Sequence, residues 1–188
     1  MRQLTNVEIE RIKLLTEKSV EVTLIEPTGT GLEKSIMDAT GSVRVYLKDK
    51  NIHDYELQNQ GQESKIQVNS YLISSDGLIQ SVASLYRPNT KKGDPRIWFK
   101  GLGTYANAND ILGIISYNDD LYVVNVSQLD FESLINGIAD NPLKELVNEI
   151  SSLSREVADE LLMLLRKISL QGAVPAMPRG DRPDGSHH

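Results

Sequence analysis

The sequence predicts a mainly β fold of the α+β class, with about seven strands, an N-terminal helix and C-terminal helices. Two observations support this prediction. Short runs of alternating apolar and polar residues are separated by Gly, Pro, Asn and Asp, which is typical of strands joined by hairpins. Towards the C-terminus the apolar residues change to helical spacing. Hairpin connections favour a barrel or a sandwich over a parallel sheet.

The N-terminal part is predicted to contain a helix, two strands and a long loop. Thr5 and Glu8 give the T-x-x-E pattern of a capping box, so a helix is expected over about residues 5–17. SVEVTLI predicts a strand that ends at Pro27. The segment EPTGTGLEKSIMDATGS predicts a long loop, SVRVYL predicts a second strand, and NIHDYEL predicts a short helical turn.

The middle of the chain predicts two hairpins. KIQVNSYLI and LIQSVASLY flank SSDG, whose Asp-Gly pair is a strong hairpin signal. ILGIISY and LYVVNVS are joined by Asn118, Asp119 and Asp120, and this connection predicts the second hairpin. These four runs are expected to form the main part of the sheet.

The rest of the chain is predicted to be helical up to a polar tail. FESLINGI predicts a short helix, and Asn141 is expected to cap a long helix that has Pro142 at its first position. Residues 128–167 contain eight acidic and four basic residues, so this helical region carries a net charge of −4. Residues 171–188 are rich in Pro and Gly and are expected to be a disordered or tag-derived tail, which leaves residues 1–170 as a single domain.

The composition excludes several classes of protein. No apolar run approaches the roughly 20 residues that span a bilayer, and the N-terminus lacks a signal-peptide pattern, so we expect a cytoplasmic, bacterial protein. With no cysteine there is neither a disulfide framework nor a thiolate metal site. His53 is the sole histidine apart from the last two residues, which excludes a mechanism that needs two histidines. The hydrolase motifs G-x-S-x-G and H-E-x-x-H are also absent, and we expect no enzymatic activity from this chain.

A basic segment, RPNTKKGDPRIWFKGLG at Arg87–Gly103, stands out in a chain whose net charge is −6. It contains five cations and a single acid: Arg87, Lys91, Lys92, Arg96 and Lys100, with Asp94. Cations in this arrangement suit DNA phosphates, and the acid can accept a hydrogen bond from a cytosine amine. The alternative interpretation is a solvated hairpin tip whose lysines serve solubility.

A second candidate is the glycine-rich run TGTG at Thr28–Gly31, which follows a strand. Lys34 and Ser35 do not stand at the spacing of a P-loop, so nucleotide binding of that kind is disfavoured. Two interpretations stay open for this run. It is either a flexible loop or a loop whose backbone amides and threonine hydroxyls contact DNA.

Two other functions are compatible with the sequence. A Mg²⁺-dependent nuclease needs an Asp and a D/E-x-K pattern on adjoining strands, and Asp54 with Glu63 and Lys65 is a weak match. A β-barrel protein-interaction module, with the long helix docking a partner, is the other alternative.

Taken together, the segments resemble the N-terminal effector domain of EcoRII-type restriction endonucleases, a DNA-binding pseudobarrel. The similarity is clearest in RIWFKGLGTYANANDILGIISY, where the family shows R-I, G-x-G, Asn, Gly and an apolar strand. KKGDPRI, NIHDYELQN and EPTGTGLEKS match further family segments in the same order. The resemblance covers roughly residues 18–127.

The resemblance implies that two arms grip the duplex and read a CC(A/T)GG-type sequence. The first arm is residues 26–44, and the second is residues 87–100. A separate catalytic domain of the same polypeptide would cut DNA with Mg²⁺, while this domain would need no cofactor and serve as its allosteric effector site. The sequence departs from the family at Pro95, where the family has a basic residue, and at Trp98-Phe99, which replace polar or basic residues.

Roles follow for individual residues. Arg96 is expected to contact guanine O6 and N7, and Asp94 to accept from a cytosine amine or to orient Arg96. Trp98 is expected either in the core, which the strand pattern favours, or as a platform for a base. The other candidates are expected to hold phosphates or approach the backbone of DNA: Thr28, Gly29, Thr30, Lys34, Arg44, Arg87, Lys91, Lys92 and Lys100.

The expected partners are double-stranded DNA and the catalytic domain of the same polypeptide. The acidic long helix is the candidate face for contact with that domain. No membrane association is expected, and the chain is expected to be a monomer.

Overall fold

The computed structural model describes residues 1–136 and 142–171. The chain divides into two compact units, Met1–Ser151 and a second that begins at Ser152. The predicted helix cap at Asn141 lies outside the described residues, as does nearly all of the predicted tail. No helix in the described ranges is both long and apolar enough to cross a membrane.

The first unit is built on a curled, mixed sheet of seven strands. The strands are β1 Thr23–Ile25, β2 Met37–Asp38, β3 Ile66–Ser74, β4 Gly77–Tyr86, β5 Arg96–Phe99, β6 Leu112–Tyr117 and β7 Asp120–Asn125. Their order in the sheet is β1-β6-β7-β3-β4-β5-β2. The β3–β7 pair is parallel and the remaining pairs are antiparallel. The predicted fold class is therefore confirmed as a seven-stranded half-barrel with N-terminal and C-terminal helices.

The described ranges contain six helices: α1 Asn6–Glu17, α2 Gly29–Lys34, α3 Gly41–Asp49, α4 Leu102–Tyr105, α5 Phe131–Asn136 and α6 Pro142–Gln171. Single 3₁₀ turns lie at Tyr55–Leu57, Gln62–Ser64 and Lys91–Gly93. The capping box of α1 is confirmed, because Thr5 Oγ1 accepts from the Glu8 N–H (3.2 Å) and the Thr5 N–H donates to Glu8 Oε1 (2.8 Å). The helical turn predicted in NIHDYEL is also confirmed.

Both predicted hairpins are present. Ser74 pairs with Gly77 at the end of β3 and β4, and Tyr117 pairs with Asp120 at the end of β6 and β7. In the second hairpin the two connecting residues, Asn118 and Asp119, have φ values of 53° and 65°. Asn and Asp tolerate this left-handed conformation better than other non-glycine residues, so the turn follows directly from its sequence.

Two predicted elements are wrong. SVRVYL is not a strand but the middle of α3, with Val43 and Leu47 buried on one face and Val45 exposed. A spacing of four residues also fits a helix, so the alternation in this short run was ambiguous. The long loop predicted after β1 contains α2 and β2 instead. Gly29 and Gly31 lie in the capped helix α2, and Gly41 begins α3, which glycine content alone does not reveal.

The sheet is buried on both sides by two apolar clusters. One includes Leu72 and Val123, together with Val43 of α3, and the other includes Ile73 and Val124, together with Phe131 of α5. Neighbouring residues of one strand point to opposite faces, so β3 and β7 contribute to both clusters. Burial on both faces makes the centre of the sheet a rigid support for the segments at its β2–β5 edge.

Candidate nucleic-acid interface

A surface groove of about 490 Å³ lies where the two predicted arms meet. We call it the arm groove. Its wall consists of residues from α2 and β2, from the turn at Gln62, and from the end of β4 to the start of β5. The lining residues are Thr28, Thr30, Gly31, Lys34, Ile36, Asp38, Gln62, Tyr86, Pro88, Thr90, Lys91 and Arg96. Segments distant in sequence thus form one polar, cationic concavity.

The first-arm wall is the capped helix α2. Thr28 Oγ1 accepts from the Gly31 N–H (2.9 Å), and this bond starts the helix. A Cβ at Gly31 would lie 2.5 Å from the backbone oxygen of Ile36, so the chain needs glycine where it turns back. Thr30 and Lys34, one helical turn apart, are exposed and line the groove.

The second-arm wall is a loop that hydrogen bonds from the half-buried Arg87 side chain stabilise. Its Nε donates to the Gly93 carbonyl oxygen (2.8 Å) and its Nη1 to the Gln58 carbonyl oxygen (3.1 Å). The Arg87 carbonyl accepts from the Gly61 N–H (2.8 Å). Arg87 is half-buried and outside the described groove lining, so its geometry fits a support for the loop better than a phosphate ligand.

The tip of this loop runs through three consecutive left-handed residues. Lys91, Lys92 and Gly93 have φ values of 48°, 58° and 70°. Such a conformation costs energy at non-glycine residues and persists where the surroundings enforce it. Gln60 contributes by donating from Nε2 to the Lys92 carbonyl oxygen (3.1 Å). As a result, Lys91 lines the groove, while Lys92 is exposed outside the described wall.

Arg96 forms the floor of the groove together with Asp38. The strand register places Arg96 opposite Asp38 of β2 on one side and opposite Tyr86 of β4 on the other. Arg96 Nη1 donates to Asp38 Oδ1. The Arg96 side chain is 12% exposed, whereas that of Asp38 is 71% exposed. The positive charge is therefore fixed in place by a carboxylate that stays largely in water.

Tyr86 adds an aromatic surface to the same wall. The Lys65 ammonium lies over the Tyr86 ring, 5.2 Å from its centroid. Burial raises the pKa of the Tyr86 hydroxyl above its ordinary value, so this group stays protonated and able to donate. The groove thus combines hydrogen-bond donors with a half-buried ring.

Trp98 lies beside the arm groove on the outward face of β5. Ile97 and Phe99 are fully buried, so the strand alternation turns Arg96 and Trp98 outward. Trp98 is half-buried against one core cluster and also lines a second, shallow groove with Ser84, Gln67 and Lys100. One side of Trp98 thus packs on the core, while another reaches the surface, and its role as a platform for a base stays a prediction.

Five predicted contact residues lie outside the described lining of both grooves: Arg87, whose loop contacts are given above, and Gly29, Arg44, Lys92 and Asp94. Gly29, Lys92 and Asp94 are exposed, and the Asp94 N–H donates to the Lys91 carbonyl oxygen (3.3 Å). Arg44 is exposed on α3, with its guanidinium next to Gly41. The carboxylate that orients Arg96 is Asp38, which sequence reasoning missed. A two-residue strand has no recognisable pattern, so no sequence signal pointed to it.

The residues of the alternative nuclease site take structural positions. Asp54 accepts from the Glu56 N–H (3.0 Å) and pairs with Lys48 (3.4 Å). Glu63 lies in the exposed turn Gln62–Ser64, and Lys65 covers Tyr86. Within residues 1–136 and 142–171, no group of three or more His, Asp or Glu residues is arranged to hold a metal ion.

His53 is part of the support beneath the second arm. It is buried, its Nε2 lies 3.0 Å from Gln58 Oε1, and its ring contacts the edge of Tyr55. Gln58 Nε2 in turn donates to the carbonyl oxygens of Ser64 and Leu85. These bonds link the turns before β3 to β4, and they account for the single internal histidine as a structural residue.

Comparisons with family models, with curated proteins and with solved structures give no match for this chain. What the groove binds therefore has to follow from its own geometry and charge.

Proposed function

We propose that this chain binds double-stranded DNA sequence-specifically through the arm groove, as the effector domain of a restriction endonuclease. The observation that carries the proposal is the meeting of the two arms at one groove. Lys34 of the first arm and Lys91 and Arg96 of the second line the same surface. If the lysines of the second arm served solubility alone, there would be no reason for a second cationic segment to line the same groove.

The exposed cations would hold the DNA backbone. Lys34 and Lys91 are both exposed and line the arm groove, and Thr28 and Thr30 add hydroxyls to it. Phosphate contacts from such side chains fix the register of a protein on the duplex and make its affinity dependent on salt. Lys100 extends the cationic surface into the groove beside Trp98.

Arg96 would read a base. Strand pairing fixes its backbone and Asp38 holds its guanidinium, so little conformational freedom is lost when it contacts guanine O6 and N7. The exposed Asp38 carboxylate would accept from the amine of a neighbouring cytosine. The pair Arg96–Asp38 thus takes the role that the sequence assigned to Arg96 with Asp94.

In the parent enzyme, occupation of this site would regulate a separate nuclease domain. DNA bound here can activate cleavage provided that it binds more tightly to the active state of the enzyme than to the inactive state. The Mg²⁺ needed for cleavage would belong to that other domain. This part of the proposal rests on the resemblance of the sequence motifs in residues 18–127 to EcoRII-type effector domains.

A titration with two labelled duplexes tests the proposal. One duplex carries CC(A/T)GG and the other a scrambled sequence, both at one fixed salt concentration. The wild-type chain should bind the first more tightly, and Arg96→Ala should lose about 1–3 kcal/mol on the first duplex alone. Arg44→Ala removes the same charge outside the groove and should keep the sequence preference. Equal binding of the wild-type chain to both duplexes would reject sequence-specific recognition.

A further inference from the structure

The second unit carries many exposed apolar side chains. From Ser152 to the end of α6, the large apolar residues are between 52% and 79% exposed: Leu153, Val157, Leu161, Leu162, Met163, Leu164, Leu165, Ile168 and Leu170. Apolar surface of this extent marks an interaction site in a folded protein.

Five of these residues form a straight stripe along the helix. Leu153, Val157, Leu161, Leu164 and Ile168 follow one another at intervals of four or three residues, and the pattern repeats after 11 residues. An 11-residue repeat corresponds to about 3.67 residues per turn, close to an undistorted α-helix, so the stripe stays on one face. This is the pattern of a helix that packs lengthwise against another helix.

The charges of the same helix are divided between its two halves. The first half of residues 152–171 has a net charge of −2, from Arg155, Glu156, Asp159 and Glu160, and the second half has a net charge of +2, from Arg166 and Lys167. Two parallel copies would place like charges side by side. Two antiparallel copies would place the acids of each helix beside the bases of the other, twice over by symmetry.

We infer that residues 152–171 bind the same segment of a second copy of this chain as an antiparallel helix pair. The segment is about 30 Å long, since an α-helix rises about 1.5 Å per residue. The stripe supplies the apolar contact, and the divided charges set the direction. Because the charge pattern complements itself, it favours a second copy over the nuclease domain that the sequence suggested for the acidic helix.

Sedimentation equilibrium of the whole chain tests this inference. The wild-type chain should sediment as a dimer in the micromolar range. The double variant Val157→Glu with Leu164→Glu should weaken the dimer about a hundredfold or more, because it buries unpaired charges. Leu162→Glu is the matched control, since position 162 lies on the opposite side of the helix from Val157 and should leave the dimer intact. Circular dichroism checks that each variant keeps its helix.

Charge reversal tests the direction without removing apolar contacts. Asp159→Lys with Glu160→Lys should weaken the dimer, and so should Arg166→Glu with Lys167→Glu. Mixing the two variants should restore dimers, because each now supplies the charges that the other lacks. Ile168→Cys, on the stripe near its C-terminal end in the otherwise cysteine-free chain, should form no disulfide with its own copy in an antiparallel pair, whereas efficient disulfide formation would overturn the antiparallel arrangement.

A wild-type chain that stays monomeric, the state expected from the sequence, would overturn the inference. Equal sensitivity to Leu162→Glu and to the stripe variant would also overturn it. The affinity for a short duplex that carries a single binding site should be the same for the stripe variant and the wild-type chain. The outcome for self-association is therefore separate from the outcome for DNA binding.

Discussion

Two arginine–carboxylate pairs in this chain have similar chemistry but different surroundings. Arg2 pairs with Glu8 (2.6 Å), and the Glu8 side chain is only 4% exposed. Glu8 also accepts from the Thr5 N–H (2.8 Å) and from the Ser127 hydroxyl (2.5 Å). In the Arg96–Asp38 pair the carboxylate is instead mostly in water. The first pair has its hydrogen-bonding capacity used within the protein, whereas the second keeps a carboxylate available to a ligand.

The comparison shows that the role of an ion pair depends on what else its carboxylate contacts. Glu8 ties the N-terminus and α1 to the segment after β7, so its loss would disturb several elements at once. Asp38 belongs to a two-residue edge strand, and its carboxylate, 71% exposed, can exchange Arg96 for water or a ligand without being left unsatisfied itself.

The largest expected difference between the pairs is in stability. Glu8→Ala should lower the free energy of unfolding by about 1–3 kcal/mol, since it leaves the part-buried donors of Arg2, Thr5 and Ser127 without their acceptor. Asp38→Ala should lower it less, by about 1 kcal/mol, because the Asp38 carboxylate is mostly in water although Arg96 is not. Urea denaturation of both variants at pH 7 measures the difference. Equal losses would show that exposure does not separate the two pairs.

The Glu8 pair should also make stability depend on pH. The hydrogen bond from Arg2 holds the pKa of the Glu8 carboxyl well below its ordinary value. A lowered pKa stabilises the folded state at a pH above the ordinary glutamate value of about 4.3, and this contribution decreases as the pH falls below that value. Urea midpoints of the wild-type chain should therefore fall between pH 5 and pH 3 more steeply than those of Glu8→Gln. Parallel curves would contradict this role for Glu8.

A pair of glycine variants tests whether the wall beside Asp38 has to be preformed. Gly31→Ala should cost about 1–3 kcal/mol, because its Cβ would meet the Ile36 backbone oxygen, which has little freedom to move. Gly29→Ala is the matched control in the same helix, since its Cβ would be 3.8 Å from the nearest atom, an ordinary contact. Thermal unfolding and DNA titration of both variants should show losses for Gly31→Ala alone.

The smallest expected effect is on DNA affinity at the exposed pair. Asp38→Asn removes a negative charge from the groove and should raise affinity for a scrambled duplex a few-fold at low salt, with a smaller change at high salt. If Asp38 accepts from a cytosine amine, the same variant should reduce the preference for CC(A/T)GG. Unchanged affinity for both duplexes would place Asp38 away from the bound DNA.

Local patterns in the sequence predicted much of the fold. The capping box at Thr5 and the turn at Asn118 and Asp119 each depend on a few neighbouring residues, so they could be recognised directly. The alternation of β3 and β4 reflects their burial pattern in the same way. SVRVYL failed because its apolar spacing fits a helix as well as a strand, and the packing of Val43 and Leu47 decided between them.

The candidate site was predictable as two segments but not as a surface. The basic segment and the glycine-rich run were recognised by composition, and both line the arm groove. The sequence could not show that Arg87 supports the loop while Arg96 lines the groove. This difference depends on the carbonyl groups of Gln58 and Gly93, which the fold brings together around Arg87. The role of Asp38 depends likewise on a strand pairing distant in sequence.

The pairing of β1 with β6 has a consequence for how the protein is made. Thr23 pairs with Ile114, so β1 has no strand partner until most of the first unit has left the ribosome. The parallel β3–β7 pair likewise cannot form until residues 121–124 have been synthesised. Such distant pairings fold slowly and expose apolar strands meanwhile. We expect translation arrested before residue 112 to yield nascent chains that are bound by chaperones and cleaved by proteases.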